Sequence, residues 1–283
     1  MRVDAVLLTK DCISQKQRRL VFYNCLLSLA NNVPVRKLIV VDGGSKDGTL
    51  QFIIRLNKRF SLFPHIQFID DAGGTRATAR MKGIRAVRTE WFVFIDSDCI
   101  LCSNWFENAL KHVNENVGAV EGDHKQILNA KDTRFLQARE ILTRKFGRLA
   151  KGRIADVRFK KGSRGFTGNT LIRSDLVKDI KIPPYYHVLE DYYIKCWIER
   201  KGFKWIKVAD AYCYHYTQYH RPRDAYYSSY ILAKEGKLTL KRALISTLTA
   251  LPKYVLIGYP DCGLREFRLS LYRLSGVCRG VIT

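Results

Sequence analysis

The sequence predicts an α/β fold with a mostly parallel central sheet flanked by helices, followed by a helical, basic and amphipathic C-terminal extension. Two observations lead to this class. Short apolar runs alternate four times with segments of helical periodicity, which is typical of right-handed βαβ units. Each apolar run also ends in polar residues, as strands do when a ligand binds at the carboxyl edge of an open sheet.

The elements follow one another in a regular order. Apolar runs predict four strands, at 3–9, 38–41, 66–69 and 91–95. Helical spacing of apolar side chains predicts helices at 14–30, 50–57, 75–87 and 104–116. Beyond them, the pattern predicts a short strand at 118–121, a helix at 189–198 and a strand at 205–208.

A pair of carboxylates directly follows the strand at 91–95. Asp96 and Asp98 are separated only by Ser97, and two acids this close repel each other unless a cation holds them. Such oxygen ligands suit Mg²⁺ or Mn²⁺, which would also hold phosphate oxygens. The alternative is a solvated turn that caps a helix.

Polar residues also end the other three strands, at Thr9, Asp42, Asp70 and Asp71. Their gathering at one edge favours a binding crevice.

The charge of the chain indicates anionic partners. The sequence has 49 Lys and Arg against 26 Asp and Glu, a net charge of +23. Such a field concentrates nucleotides, nucleic acid or an anionic membrane near the protein. A nucleic-acid-binding protein would explain the charge, but it leaves the acidic edge of the sheet unexplained. We therefore expect no nucleic-acid partner.

Two segments are especially basic. Between 139 and 164, ten Lys and Arg accompany two acids and several glycines, which predicts a mobile loop over an anionic ligand or a solvated surface segment. From Arg221 to the end, eleven Lys and Arg accompany four acids. Basic amphipathic segments of this kind suit the membrane interface, whereas a dimer contact or packing on the catalytic domain are the alternatives. No apolar run is long enough to predict a transmembrane helix.

The eight cysteines are spread through apolar segments and form no dense framework, which indicates reduced thiols and a cytoplasmic protein. Cys99 and Cys102 form a CxxC pair. No second pair with zinc-site spacing accompanies it, so we expect these two thiols to pack beneath the acidic turn. The N-terminal apolar run is too short for a signal peptide.

Later parts of the sequence contain further candidates for a general base, a metal ligand and a pocket lining. Glu190 and Asp191 begin a predicted helix, where the helix dipole favours carboxylates and where a general base would also be held rigidly. His215 and His220 lie in an aromatic run. Each is either a packed core residue or a ligand that completes a metal site. The polar-to-apolar run that begins at 166 suits the lining of a pocket.

Together these motifs resemble the family 2 inverting glycosyltransferases with the GT-A fold, over roughly residues 1–215. The motifs that carry the resemblance are Thr9, Val40-Val41-Asp42-Gly43-Gly44-Ser45-Lys46-Asp47-Gly48-Thr49, Ala79-Arg80-x-x-Gly83, Phe94-Ile95-Asp96-Ser97-Asp98, Thr167-Gly168-Asn169 and Glu190-Asp191. The resemblance implies a UDP- or GDP-linked sugar donor, a divalent Mn²⁺ or Mg²⁺ ion, and a glycan or lipid-linked acceptor such as a polyprenyl phosphate.

The resemblance also implies roles for single residues. Those implied in donor binding are Thr9, Asp42, Asp71, Arg80, Asp96 and Ser97. The implied metal ligands are Asp96, Asp98 and His215, and the implied acceptor pocket comprises Thr167, Gly168, Asn169 and Glu190. Asp191 is implied as the base that deprotonates an acceptor hydroxyl. The sequence departs from the family pattern at Gly43, where a second acid is common, and at Lys10-Asp11, which replaces an aromatic-Asn pair.

The domain organisation predicted from these features is a catalytic domain at 1–220 and a helical extension at 221–283. We expect the protein at the inner face of the cell membrane, held there by the extension. A nucleotidyltransferase is an alternative of similar fold, but it would carry a glycine-rich basic loop after the first strand. Residues 9–19 contain no glycine, which counts against that alternative.

Overall fold

The computed structural model describes residues 1–150, 164–216 and 221–282. The chain divides into two compact units, one of Met1–Ile127 and Ser163–Tyr216, the other of Leu128–Gly162 and Thr217–Thr283. In the described residues the strands are β1 (Val3–Thr9), β2 (Val35–Asp42), β3 (Ile66–Asp70), β4 (Trp91–Asp96), β5 (Cys99–Leu101), β6 (Val117–Ile127), β7 (Asn169–Arg173) and β8 (Lys204–Tyr216). The helices are α1 (Lys16–Asn32), α2 (Thr49–Phe60), α3 (Arg76–Ala86), α4 (Trp105–Leu110), α5 (Ala130–Ala150), α6 (Glu190–Arg200), α7 (Pro222–Lys234), α8 (Leu240–Leu248), α9 (Ala250–Val255) and α10 (Pro260–Ile282).

The first unit is built on one eight-stranded sheet, in the order β3-β2-β1-β4-β7-β6-β8-β5. Strands β3, β2, β1 and β4 pair in parallel with one another, and β6 pairs in parallel with β8. β7 lies between β4 and β6 and runs antiparallel to both. The predicted α/β class with a mostly parallel sheet is therefore confirmed. The helical character of the C-terminal extension is confirmed as well.

The register of the parallel strands brings their polar ends together. Thr9 lies opposite Asp42, and Asp42 lies opposite Asp70. On the other side of β1, Leu8 lies opposite Asp96. Because the strand interiors are almost entirely buried apolar residues, these polar ends are where the core opens to solvent.

Helix α3 packs against this sheet through Gly83. A Cβ atom at this position would lie 2.4 Å from Cγ1 of Val6 on β1 and 3.5 Å from Cγ2 of Val41 on β2. The side chain of Val6 is fully buried and β-branched, so it has little freedom to move aside. The glycine thus allows the helix that carries Arg80 to approach the strands closely.

We expect Gly83→Ala to lower the free energy of unfolding by about 1–3 kcal/mol, although alanine has the better helix propensity. Urea unfolding followed by circular dichroism measures the change. Arg85→Ala on the same helix, where the arginine is exposed, is the matched control and should stay within about 0.5 kcal/mol of the wild type. Equal stability of the two variants would contradict the close packing of α3.

Several predicted elements differ from the structure. The strand predicted at 205–208 extends over the whole of β8, and the strand predicted at 118–121 extends to Ile127. The helix predicted at 104–116 ends at Leu110. The apolar run of β5 is too short to predict a strand. β5 forms because it pairs with β8.

The prediction of a mobile basic loop over 139–164 is wrong for its first part. Residues up to Ala150 continue α5, because Phe135, Ala138 and Leu142 have helical spacing and are buried together with Tyr254. The rest of that stretch, residues 151–163, lies outside the described residues. So does His220, the second histidine of the aromatic run.

The second unit is helical, with α5 and α7 to α10 in its described part. The rings of Phe135 and Tyr254 stack with centroids 5.8 Å apart. Arg265 is ion-paired with Asp132, and Arg134 donates to Asp261 over 3.0 Å. Among the residues that the structure describes, no helix has both the length and the apolar character that a membrane crossing requires. The predicted boundary at residue 220 remains a prediction.

Candidate active site

The loop after β2 is organised by Asp42. Its Oδ1 accepts hydrogen bonds from the Oγ1 of Thr9 at 2.8 Å and from the Oγ of Ser45 at 2.6 Å. Its Oδ2 accepts from the backbone N–H groups of Gly44 and Ser45, at 3.1 and 2.7 Å. Gly44 has a φ of +82°, which a glycine adopts without strain. Two of the predicted donor-binding residues, Thr9 and Asp42, therefore form one buried unit that fixes the shape of this loop.

Asp71, at the end of β3, is held by α3. The Oγ1 of Thr78 donates to Asp71 at 2.8 Å, and the ammonium of Lys82 lies 2.8 Å from its other oxygen. Thr75 caps the helix through a hydrogen bond from the backbone N–H of Thr78. Asp71 is buried, so these contacts compensate its charge and fix the N-terminus of the helix that carries Arg80.

Arg80 joins two of the predicted site acids. Its Nη2 donates to Oδ1 of Asp96 at 3.1 Å, and its Nε donates to Oε1 of Glu190 at 3.2 Å. The guanidinium also lies over the ring of Phe94, 5.0 Å from the centroid. Arg80 is only 3% exposed. Burial lowers its pKa, but the neighbouring carboxylates of Asp96 and Glu190 outweigh this effect and raise the pKa above its ordinary value.

The Arg80 bridge leaves two buried polar atoms at the site. Nη1 of Arg80 and Oε2 of Glu190 have no hydrogen-bond partner within the described part of the chain. Burial, and next the charge of Asp191, raise the pKa of Glu190 above its ordinary value. Since unpaired buried polar groups are costly, these two atoms are the places where a bound polar ligand would be stabilised.

Asp191 lies beside Glu190 in the first turn of α6. The helix begins after Leu189, which has left-handed backbone geometry and provides no side-chain cap. Oδ1 of Asp191 accepts from Nε and Nη2 of Arg164, both at 3.3 Å, and from the backbone N–H of Tyr192 at 2.8 Å. The acid is thus buried, rigidly placed and paired with an arginine that is half exposed.

Asp98 meets His215 at the turn between β4 and β5. Oδ1 of Asp98 lies 3.5 Å from Nε2 of His215, and both groups belong, with the Cys99 thiol, to a cluster whose ligand atoms lie within 4.8 Å of one another. The cluster forms because β5 pairs with the end of β8, so that Cys99 lies opposite His215. Burial lowers the pKa of His215, but the Asp98 carboxylate outweighs it and the pKa is raised.

The chemistry of these groups fits a divalent cation. A carboxylate oxygen and an imidazole nitrogen are ligands that Mn²⁺ and similar ions accept. Burial raises the pKa of the Cys99 thiol well above its ordinary value, and Mg²⁺ and Mn²⁺ favour oxygen ligands over a thiolate. Asp98 and His215 are therefore the residues that could hold a metal ion. Asp96 is paired with Arg80 instead and is not part of the cluster found in the described residues.

Three of the predicted acceptor-pocket residues, Thr167, Gly168 and Asn169, lie just before and at the start of β7. The carbonyl oxygen of Gly168 accepts from the backbone N–H of Asp96 at 3.0 Å, and Nδ2 of Asn169 donates to the carbonyl of Asp123 at 3.0 Å. A Cβ atom at Gly168 would lie 2.9 Å from Oδ2 of Asp96. Oγ1 of Thr167 and Oδ1 of Asn169 are buried without a partner among the described residues. This segment thus packs directly against the acidic turn.

Sequence reasoning missed two neighbours of the site, His124 and Arg164, and included Phe166 only as the first residue of a run that suits a pocket lining. The Phe166 ring lies 4.9 Å from that of His215 and 5.1 Å from that of His124. Burial lowers the pKa of His124, which favours a neutral imidazole. Arg164, the partner of Asp191, was included in the basic stretch but not singled out. Neither His124 nor Arg164 stands in a motif, and each reaches the site only because segments distant in sequence become neighbours. Ser97 lies in the turn itself. Burial raises the pKa of the Cys12 thiol to about 11, and Ser97 acts in the opposite direction.

A parallel sheet edge that gathers acids, a candidate metal pair and a buried arginine is the arrangement that the resemblance to GT-A enzymes implies. The family model described as glycosyl transferase family 2 matches residues 13–181, which is more than half of the chain. The protein therefore belongs to glycosyl transferase family 2, and the resemblance seen in the sequence is confirmed. No curated protein matches the chain at a significant level.

Solved structures share the fold at low identity. The mannosyltransferase PcManGT from Pyrobaculum calidifontis, in complex with GDP-Man and Mn²⁺, is 14% identical with a TM-score of 0.58, covering 99% of this chain and 87% of that chain. Residues 1–349 of TarS from S. aureus, in complex with UDP-GlcNAc, are 18% identical with a TM-score of 0.56, covering 83% and 66%. Glucosyl-3-phosphoglycerate synthase from Mycobacterium tuberculosis, in complex with Mn²⁺ and UDP-Glc, is 16% identical with a TM-score of 0.51, covering 81% and 76%. The present chain matches between 39% and 66% of the length of the TarS chains.

Proposed function

We propose that the protein transfers a hexosyl group from a nucleotide-diphosphate donor to an acceptor, with inversion and with a divalent metal ion. The observation that carries the proposal is the convergence of Asp98 with His215 in the same unit as the Arg80 bridge to Asp96 and Glu190. Asp98 and His215 could hold a divalent cation whose charge would meet the diphosphate, and Asp191, next to Glu190 in α6, offers a rigid carboxylate to an acceptor. The neighbours crystallised with GDP-Man, UDP-GlcNAc or UDP-Glc support a UDP- or GDP-linked donor.

In this proposal Asp98 and His215 hold the Mn²⁺ or Mg²⁺ ion, with Asp96 as a further predicted ligand. When bound, such an ion neutralises the charge of the diphosphate leaving group. Thr9 and Asp42 shape the loop that receives the base, and Asp71 fixes the helix of Arg80. Ser97 lies between the two acids and would contact the diphosphate.

Asp191 would act on the acceptor. Within the described residues every hydrogen bond to its carboxylate goes to Oδ1, so Oδ2 is the oxygen available to an acceptor hydroxyl. Asp191 takes the hydroxyl proton as the acceptor oxygen bonds to C1 of the sugar and the diphosphate leaves from the opposite side. Thr167, Gly168, Asn169 and Glu190 form the proposed lining of the acceptor pocket.

The acceptor is a glycan hydroxyl or a lipid-linked phosphate such as a polyprenyl phosphate. A phosphate acceptor is already ionised, so Asp191 would position it without removing a proton. As part of this proposal the protein works in the cytoplasm at the inner face of the cell membrane. All eight cysteines are free thiols, as a reducing compartment requires.

A thermal-shift screen tests the donor and the metal. We expect UDP- or GDP-sugars to raise the melting temperature of the full chain in the presence of Mn²⁺, because a ligand that binds only the folded state stabilises it. At about 100 times the Kd the gain is about 2.7 kcal/mol. Asp98→Asn should remove most of the metal-dependent part of the shift.

The matched control is Asp210→Asn. Asp210 pairs with His112, its Oδ1 3.3 Å from Nε2, so the substitution breaks an Asp–His pair away from the proposed site. This control should keep the full Mn²⁺-dependent shift. A donor shift that is the same with and without metal in every variant would rule out the metal dependence, and the absence of any shift with all nucleotide sugars would rule out the donor class.

A further inference from the structure

Helix α8 in the second unit directs large apolar side chains outward. Leu240, Leu244 and Leu248 recur every four residues and form one stripe, with Ile245 beside them. These four side chains are between 41% and 73% exposed. Close behind in sequence, at the end of α9, Val255 and Leu256 are also exposed. The apolar face is defined by these six residues: Leu240, Leu244, Ile245, Leu248, Val255 and Leu256.

The opposite side of α8 is small and polar, yet it is the side that is buried. Ala243, Ser246 and Thr247 are its buried residues. The Oγ1 of Thr247 donates to the carbonyl oxygens of Ala243 at 2.9 Å and of Ser270 at 3.3 Å, which links α8 to α10. Packing in water would bury the leucines and expose the hydroxyls. The helix is therefore oriented as if its outer face met an apolar medium.

Helix α10 also turns small residues towards its neighbouring helix and leaves large apolar side chains exposed. A Cβ atom at Gly276 would lie 2.3 Å from the carbonyl oxygen of Tyr226, and one at Gly280 would lie 2.5 Å from that of Tyr230. Small residues thus let α10 approach α7 closely, which is how helices associate when lipid covers their other sides. The large hydrophobic side chains exposed on the described part of α10 are Leu264, Leu271, Tyr272, Val281 and Ile282.

The charge around the apolar face is positive. Residues 236–260, which include α8 and α9, contain four Lys and Arg and no acid. Lys241 and Arg242 are exposed next to the leucine stripe. A second copy of the same face would bring these cations against each other. Anionic lipid headgroups instead complement them, while the acyl boundary covers the leucines.

We infer that the apolar face of α8 and α9 docks on an anionic lipid bilayer. The leucines enter the boundary between headgroups and acyl chains, and Lys241 and Arg242 contact lipid phosphates. The contact is peripheral. It rests on the membrane location that the proposed function includes, but it involves none of the groups that the proposed transfer uses, so vesicle binding tests it separately from that reaction.

Cosedimentation of the full chain with vesicles tests this docking. Phosphatidylcholine vesicles with and without phosphatidylserine are the probes, at low and high salt. We expect binding to the anionic vesicles only, weakening as salt rises. The double variant Leu244→Glu/Leu248→Glu should lower the partition coefficient at least about tenfold, because two charges replace buried apolar area. Lys241→Gln/Arg242→Gln should flatten the salt dependence.

The matched control is Leu20→Glu/Ile54→Glu in the first unit, where the two side chains are 60% and 51% exposed. It should bind vesicles like the wild type, and all variants should keep the wild-type circular dichroism spectrum. The inference is overturned if Leu244→Glu/Leu248→Glu binds like the wild type, or if the wild type ignores anionic vesicles. A wild-type dimer that this variant converts to a monomer, with no vesicle binding, would also overturn it and assign the face to self-association.

Discussion

Asp191→Asn is expected to reduce transfer to a hydroxyl acceptor by about 10²- to 10⁴-fold, the usual contribution of a positioned general base. The amide cannot take up the proton that the acceptor hydroxyl must lose. Donor binding should persist, because Asp191 is predicted to contact the acceptor only. Release of the nucleoside diphosphate, measured with saturating donor and acceptor, gives the rate, and a thermal shift with donor alone gives the binding.

Asp179→Asn is the matched control for this substitution. Asp179 pairs with Lys201 at 2.7 Å and is largely exposed, so its loss leaves the proposed site unchanged and transfer should proceed at the wild-type rate. Transfer to a hydroxyl acceptor at near-normal rate in Asp191→Asn would remove the assignment of Asp191 as base.

The same variant separates the two classes of acceptor. A polyprenyl phosphate arrives ionised, so its reaction requires no proton acceptor and should lose much less rate in Asp191→Asn. The phosphate would also supply the negative charge that the Arg164 guanidinium, 3.3 Å from Asp191 in the wild type, loses with the carboxylate. A large loss with both acceptors would show that Asp191 acts chiefly by holding the acceptor in place.

The first four strands could be predicted because their physical cause is local. Strands buried on both faces read as continuous apolar runs, and β1, β2 and β4 contain such runs, each ended by a polar residue. β3 is an edge strand without a buried residue, but Ile66, Phe68 and Ile69 still give it an apolar pattern that ends at Asp70. β8 could be predicted only in part, since Lys, Asp and His interrupt its apolar residues. It extends to Tyr216 because β6 pairs with it almost throughout, and such pairing between distant segments leaves no local pattern.

The candidate site could likewise be predicted only where its features have a local cause in the sequence. The residue types at the strand ends predict a crevice rich in carboxylates. The resemblance to the family implied which residues bind the donor, the metal ion and the acceptor. The partners of those members could not be predicted. Arg80 contacts Glu190 across 110 residues of sequence, and Asp98 meets His215 only because β5 and β8 pair. Charge compensation in a buried site is decided by which strands and helices become neighbours, and a single sequence does not contain that information.

Loss of Arg80 should destabilise the fold strongly, because this buried arginine pairs with two carboxylates. Arg80→Met keeps the length of the side chain but leaves the carboxylates of Asp96 and Glu190 without their common cation. Removal of one member of a buried ion pair lowers the free energy of unfolding by about 3–5 kcal/mol. Urea unfolding at neutral pH measures the loss. Arg85→Met, at an exposed position of the same helix, should remain close to the wild type.

The pH dependence of this variant identifies the acid responsible. The pKa of Glu190 is already raised by burial, while Arg80 holds it down, so Arg80→Met should raise it further. The folded variant then binds a proton on Glu190 that the unfolded chain releases, and its free energy of unfolding falls as the pH rises through the folded pKa. The stability defect should therefore be smallest in acid and grow towards neutral pH. Arg80→Lys retains the charge, but its single ammonium cannot reproduce the planar fork that contacts both acids, and an intermediate defect is expected. A defect that does not change with pH, or a stability equal to that of Arg85→Met, would show that the bridge between Asp96 and Glu190 does not hold this site together.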